Sequence, residues 1–152
     1  MALKSILFLG INFAALMLGG LFTKDGVSSE WYQSLEKAPW EPPGWMFGVA
    51  WTLIMVFFSV YMARLFQTSK NKKQIILLFF AQWVLNVSWN PIFFYYQNPL
   101  LSLIVIIALT LLIGTFICSY MGSTKYYTLL VLPYFFWLII ATSLNNFILY
   151  AN

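Results

Sequence analysis

Five long apolar runs separated by short polar connections constrain this chain more than any other feature: about 3 to 22, 44 to 66, 74 to 95, 99 to 119 and 126 to 150. Crossing the roughly 30 Å hydrocarbon core of a bilayer takes about 20 apolar residues in a helix, and each run meets that length. Backbone N–H and C=O groups in lipid must be satisfied within their own segment, so the runs are expected to be helices and not open strands. Composition leaves no room for a separate water-soluble domain. Of 152 residues, 62% are hydrophobic and 8% charged, too few charges to cover a surface facing water. The expected fold class is therefore all-α, a single integral membrane bundle of five transmembrane helices over residues 1–152, with one long loop at 23–43.

The first run follows Lys4 and ends near Gly19 and Gly20, which resembles a secretory signal, but it is longer than a usual signal core and further spans follow it. It is read as a retained helix. If the helices alternate, one side of the membrane carries Lys4, Arg64, Lys70, Lys72, Lys73 and Lys125 and no acid. The other carries Lys24 and Lys37 with Asp25, Glu30, Glu36 and Glu41. The positive-inside rule then places the N-terminus in the cytoplasm, and the 23–43 loop and the C-terminus outside. The same topology accounts for the basic pI of about 9.2 without a nucleic-acid partner, because the basic residues form no continuous stripe. The single cysteine, Cys118, lies within a span and excludes an internal disulfide.

The 23–43 loop is long for a connection between packed helices, and the stretch "WYQSLEKAPWEPPGW" within it is rich in rings and prolines. Pro42-Pro43-Gly44 sets an abrupt start for the second span, since proline is tolerated in a first helical turn. The tryptophans there fit either an interfacial belt or a cover over the bundle. Helical spacing separates the two readings. Gly44, Gly48, Trp51 and Met55 share one face of the second span. Gln82, Asn86, Trp89 and Phe93 do so on the third, with Asn90 a turn beyond Asn86. Tyr134, Trp137, Ala141 and Asn145 do so on the fifth. At a 1.5 Å rise per residue, Trp51 lies roughly 10 Å, Asn86 roughly 14 Å and Trp137 roughly 20 Å below the loop side, too deep for a surface belt. Polar side chains at such depth either join helices or line a cavity. Indole and phenol faces with a few amides suit a large, flat, mostly apolar ligand, and the loop is then a lid. Ala15 with Gly19, and Gly114 with Cys118, are spaced for close helix packing.

Three stretches, "WYQSLEKAPWEPPGWMFGVAW", "QWVLNVSWNPIFF" and "LPYFFWLIIATSLNNFILYAN", resemble in order and position the signature of the translocator protein family, also called tryptophan-rich sensory proteins or peripheral-type benzodiazepine receptors. The chain is similar to the bacterial type, and a bacterial cytoplasmic membrane is the implied location. The resemblance implies a receptor or transporter-like protein for porphyrins and other hydrophobic ligands such as isoquinoline carboxamides, with a homodimer as its assembly. The ligand-binding residues expected from the loop and the stripes are Tyr32, Trp40, Pro42, Pro43, Gly48, Trp51, Gln82, Asn86, Trp89, Asn90, Tyr134, Trp137, Ala141 and Asn145. Sterol binding is not carried over, because no basic residue follows Tyr150.

Two other function classes stand beside this one. The resemblance also implies light- and oxygen-dependent porphyrin breakdown, for which Trp51 and Trp137 would be the catalytic residues. A stress-sensing accessory protein acting through a partner is the third. No conventional catalytic constellation is present: the chain has no histidine, no carboxylate within a span, and Ser88 has no evident base. No obligate cofactor is expected, porphyrin being a ligand. Haem as a fixed group would lack a histidine, and no metal-binding set is expected.

Overall fold

A computed structural model describes all 152 residues and contains five helices long and apolar enough to cross a membrane. The elements are α1 (Ala2–Val27), a short α2 (Glu30–Ser34), α3 (Gly44–Thr68), α4 (Lys72–Asn90), α5 (Pro99–Thr124) and α6 (Leu132–Ala151). α4 runs on into a π-helical turn, Pro91–Tyr95, and a 3₁₀ segment, Lys125–Leu130, joins α5 to α6.

Helix ends follow local chemistry. Ser29 caps α2 by accepting from the Tyr32 N–H at 3.2 Å. Asn71 caps α4 through Gln74 N–H at 3.1 Å, and Asn98 caps α5 through Leu101 N–H at 2.9 Å; each satisfies a donor that the helix itself leaves free. Pro91 cannot donate an amide hydrogen, and its ring crowds the preceding turn. The chain widens there, and the Tyr96 N–H reaches the Pro91 carbonyl at 2.9 Å, the wider i to i+5 bond of a π turn.

Three boundaries differ from the sequence expectation, one being the start of the fifth span, expected at 126, where the chain forms the 3₁₀ segment and α6 begins only at Leu132. α1 continues five residues past Phe22 through Thr23, Lys24 and Asp25, so the connection to α3 begins at Ser28. Charged residues mark where a helix leaves lipid, not where its hydrogen bonds stop. For the same reason α5 continues to Thr124, and the expected 120–125 loop is largely helical. Its turn comes at Lys125, where φ is +51°.

Packing is tightest in the half of the bundle that holds the N-terminus. Phe58 lies at its centre, edge-on to Phe116 at 5.7 Å and to Tyr134 at 5.3 Å, and the Tyr61 hydroxyl donates to the Phe116 carbonyl at 2.8 Å. Phe8, Ile75, Phe79, Ile113 and Leu138 complete this core. Close packing and interhelical hydrogen bonds hold helices together in lipid, where there is little hydrophobic drive between them. In the other half the helices separate, and a cavity opens under the 28–43 connection.

Candidate ligand cavity

The cavity has a volume of about 760 Å³, within the range of small-molecule sites, roughly 300–1,000 Å³. α3 supplies Phe47, Gly48, Trp51 and Thr52; α4 and its π turn supply Asn86, Trp89, Asn90, Phe93 and Phe94; α6 supplies Trp137, Ala141, Leu144 and Asn145. Each set recurs at three- and four-residue steps, the rhythm that puts side chains on one helix face.

The three asparagines that line the cavity have different roles. Asn145 is a junction: its Oδ1 accepts from Trp89 Nε1 at 3.0 Å and from Ser102 Oγ at 2.9 Å, and its Nδ2 donates to the Pro99 carbonyl at 2.8 Å. It ties α6 to α4 and α5. Asn90 accepts from Thr23 Oγ1 at 2.8 Å and ties α4 to α1. Asn86 has no side-chain partner in the protein, yet it lies at the cavity wall and is largely buried. Its amide, like the Trp137 indole N–H, is left to meet a ligand, since buried polar groups ordinarily find a bond.

The aromatic wall is braced from behind. Trp89 stacks on Phe93 with centroids 4.9 Å apart and planes 10° apart. Trp137 meets Phe47 edge-on at 5.4 Å, and its Nε1 is buried without an acceptor in the protein.

The lid is pinned at both ends. Tyr32 donates from its hydroxyl to Glu41 Oε1 at 3.1 Å, and Lys37 Nζ lies 4.2 Å over the Tyr32 ring, within cation–π range of about 6 Å. Burial, and then the adjacent Glu41 carboxylate, hold the Tyr32 phenol well above its ordinary pKa, so it remains a neutral donor. Trp40 Nε1 donates to Ser143 Oγ at 3.1 Å, and its ring meets Phe147 edge-on at 5.5 Å. The Glu36 N–H donates to Asn152 Oδ1 at 2.8 Å.

Ten of the residues singled out in the sequence line the cavity: Tyr32, Pro42, Gly48, Trp51, Asn86, Trp89, Asn90, Trp137, Ala141 and Asn145. Four do not. Gln82 and Tyr134 are fully buried and bond each other, Nε2 to hydroxyl at 2.8 Å, beneath the floor. They stand a turn too deep, where the helices have already closed. Trp40 turns outward onto α6, and Pro43 is the N-cap position of α3. Met55, on the same face as Trp51, is likewise core.

Several wall residues carried no sequence signal for the cavity. Ala15 and Gly19, spaced for packing, also face the space, and Ile106 and Leu109 close it from α5. Lys37 and Glu41 are the charged groups at its edge. Phe47 could have been found, since it lies four residues before Trp51.

Fold and site together define a five-span integral membrane protein with a roofed, aromatic-walled cavity in one half of the bundle. The model of the TspO/MBR family matches residues 8–151, and the chain belongs to that family. It is 38% identical over 146 residues to the tryptophan-rich protein TspO of Archaeoglobus fulgidus, covering 95% of this chain and 91% of that one. With the protein of the same name from Chlorobaculum tepidum it shares 32% identity over 149 residues, 96% of this chain and 94% of the other. The translocator protein of Homo sapiens is 27% identical over 124 residues, 79% of this chain and 73% of the human one.

Proposed function

We propose that this protein is a membrane receptor, with a transporter-like fold, for porphyrins and other flat hydrophobic molecules held in the cavity. The observation that carries the reading is the pairing of a free Asn86 amide with walls of Trp51, Trp89 and Trp137 in a space of about 760 Å³. Planar rings stack on such walls, and a single amide fixes orientation. The family supports the class of ligand. The charge asymmetry of the loops supports an N-terminus in the cytoplasm and a lid outside. A homodimer is the assembly that accords with the family resemblance. Titration of the purified protein with protoporphyrin, followed by quenching of its tryptophans, tests the reading; a linear, unsaturable response would reject it.

A second reading, photo-oxidative breakdown of the bound porphyrin, is favoured by one observation: Trp51 and Trp137 both line the cavity. The porphyrin would absorb the light, dioxygen would be the oxidant, and the indoles would donate electrons. A protein-dependent absorbing product on illumination in air, lost in Trp51→Phe with Trp137→Phe, distinguishes breakdown from binding alone.

A further inference from the structure

α1 and α3 lie side by side, and the contact between them is close on the N-terminal half of α1. Lys4 Nζ lies 5.3 Å over the Phe66 ring, Phe8 meets Phe66 edge-on at 6.2 Å, and Asn12 Nδ2 donates to Ser59 Oγ at 2.8 Å. Further along, α1 bears on its other neighbour. Gly19 lies so close to the Asn90 amide that a Cβ there would clash, Thr23 bonds Asn90 at 2.8 Å, and Gly26 abuts the Phe94 ring. The two glycines let α1 press closely onto α4 and the π turn.

Carrying the antiparallel register of Asn12 and Ser59 onward sets residues 20–27 of α1 opposite residues 44–52 of α3, and the cavity lies between them. Gly20, Val27, Gly44, Gly48 and Thr52 all line the cavity and are exposed, not packed against a neighbouring helix. A Cβ added at Gly20, Gly44 or Gly48 would meet nothing within 4 Å. The lid residues at the same cavity, Tyr32, Lys37, Glu41 and Pro42, are only half-exposed, so the side is more open than the roof. Gly20, Val27, Gly44, Gly48 and Thr52 carry no charge, Lys24 on the same face of α1 stands in its last turn where a lysine reaches the interface, and the Thr52 hydroxyl is satisfied by the Gly48 carbonyl at 2.7 Å. Such an edge is compatible with lipid, where an unsatisfied polar group is costly.

We propose that the gap between α1 and α3 is a lateral portal, through which a flat apolar ligand dissolved in the lid-side leaflet passes into the cavity without the lid opening. The portal rests on the reading of the cavity as a ligand site. Its chemistry selects molecules that partition into lipid first.

The test compares the full-length protein with Gly20→Leu and Gly48→Leu in phosphatidylcholine nanodiscs, using protoporphyrin and stopped-flow tryptophan quenching. An obstacle in a passage raises the barrier to entry, so association should slow about tenfold in each variant, whatever change in Kd follows from Gly20 and Gly48 also lining the cavity. Trp40→Ala, which releases the lid from α6, should leave both rates unchanged. Faster exchange in Trp40→Ala with unaltered rates in Gly48→Leu routes the ligand over the lid and overturns the portal. Weaker binding with an unchanged association rate overturns it too. A second measurement needs no porphyrin. Phosphatidylcholine carrying a diazirine on its acyl chain should label the cavity wall at Trp51 and Leu144, and labelling should fall several-fold in the double variant. An unlabelled wall in the parent protein rejects the portal; a labelled wall without porphyrin binding rejects the ligand assignment and leaves the portal standing.

Discussion

Trp51 and Tyr134 meet edge to face with ring centroids 5.8 Å apart, and this contact is the floor of the cavity. Trp51 faces the open space; Tyr134 faces the core, where Gln82 donates to its hydroxyl. The two rings therefore predict different phenotypes. Tyr134→Phe removes a buried interhelical hydrogen bond and no cavity wall. It should lower stability by about 0.6–1.7 kcal/mol, the range for such bonds in membrane bundles, with porphyrin affinity within about twofold of the parent. Thermal unfolding in detergent and a quenching titration read the two effects separately. Loss of affinity with unchanged stability would move Tyr134 into the site.

Asn86 and Asn145 should separate in the same manner. Asn86→Ala removes the amide that has no partner in the protein, so stability should hold while affinity falls about tenfold, roughly 1.4 kcal/mol. Asn145→Ala strands Trp89 Nε1 and the Pro99 carbonyl, and should destabilise the fold by about 1–3 kcal/mol. Equal stability of the two variants would contradict the division between ligand contact and helix junction.

What could be read in advance, and what could not, follows from the physics of each feature. The spans were legible because lipid demands about 20 uncharged residues, and Trp51, Asn86, Trp89, Trp137 and Ala141 because helical periodicity assigns a face. Periodicity does not say at what depth the helices part. Gln82 and Tyr134 share a face with Asn86 and Trp137, but lie below that point and pack together. Gly19 shows the converse. Its small size signals close approach, and it does approach Asn90, yet whether such a residue also borders a space depends on how α1 packs on α4. Trp40 followed the reading of a lid, but its partners Ser143 and Phe147 lie on the outside of α6.

Gly26 lies against the Phe94 ring, where a Cβ would overlap it. Gly26→Ala should therefore push α1 from the π turn and cost about 1–3 kcal/mol, the usual result of overpacking. Gly10→Ala, at a position with nothing within 4 Å, is the matched control, and should be neutral or slightly stabilising by helix propensity, up to about 1 kcal/mol. Thermal melts of the two variants in one detergent check the difference. A Gly26→Ala protein as stable as Gly10→Ala would mean the contact is loose.

Ala141 lies one helical turn from Trp137 on the cavity face of α6. Extending its side chain takes space from the ligand, because Ala141 lines the cavity and is only half-buried. Ala141→Thr should leave the melting temperature within a few degrees of the parent. Its effect should depend on ligand size: strong for a porphyrin that fills the cavity, small for a compact isoquinoline carboxamide that occupies part of it. A hydrophobic pocket tells molecules apart by about 1–3 kcal/mol per methylene-sized mismatch, so the porphyrin Kd should rise between about 5- and 150-fold. Parallel titrations with both ligands supply the measurement. Equal affinities of parent and variant for both would place the bound ligand away from Trp137, and with it the planar stacking that the proposed function requires.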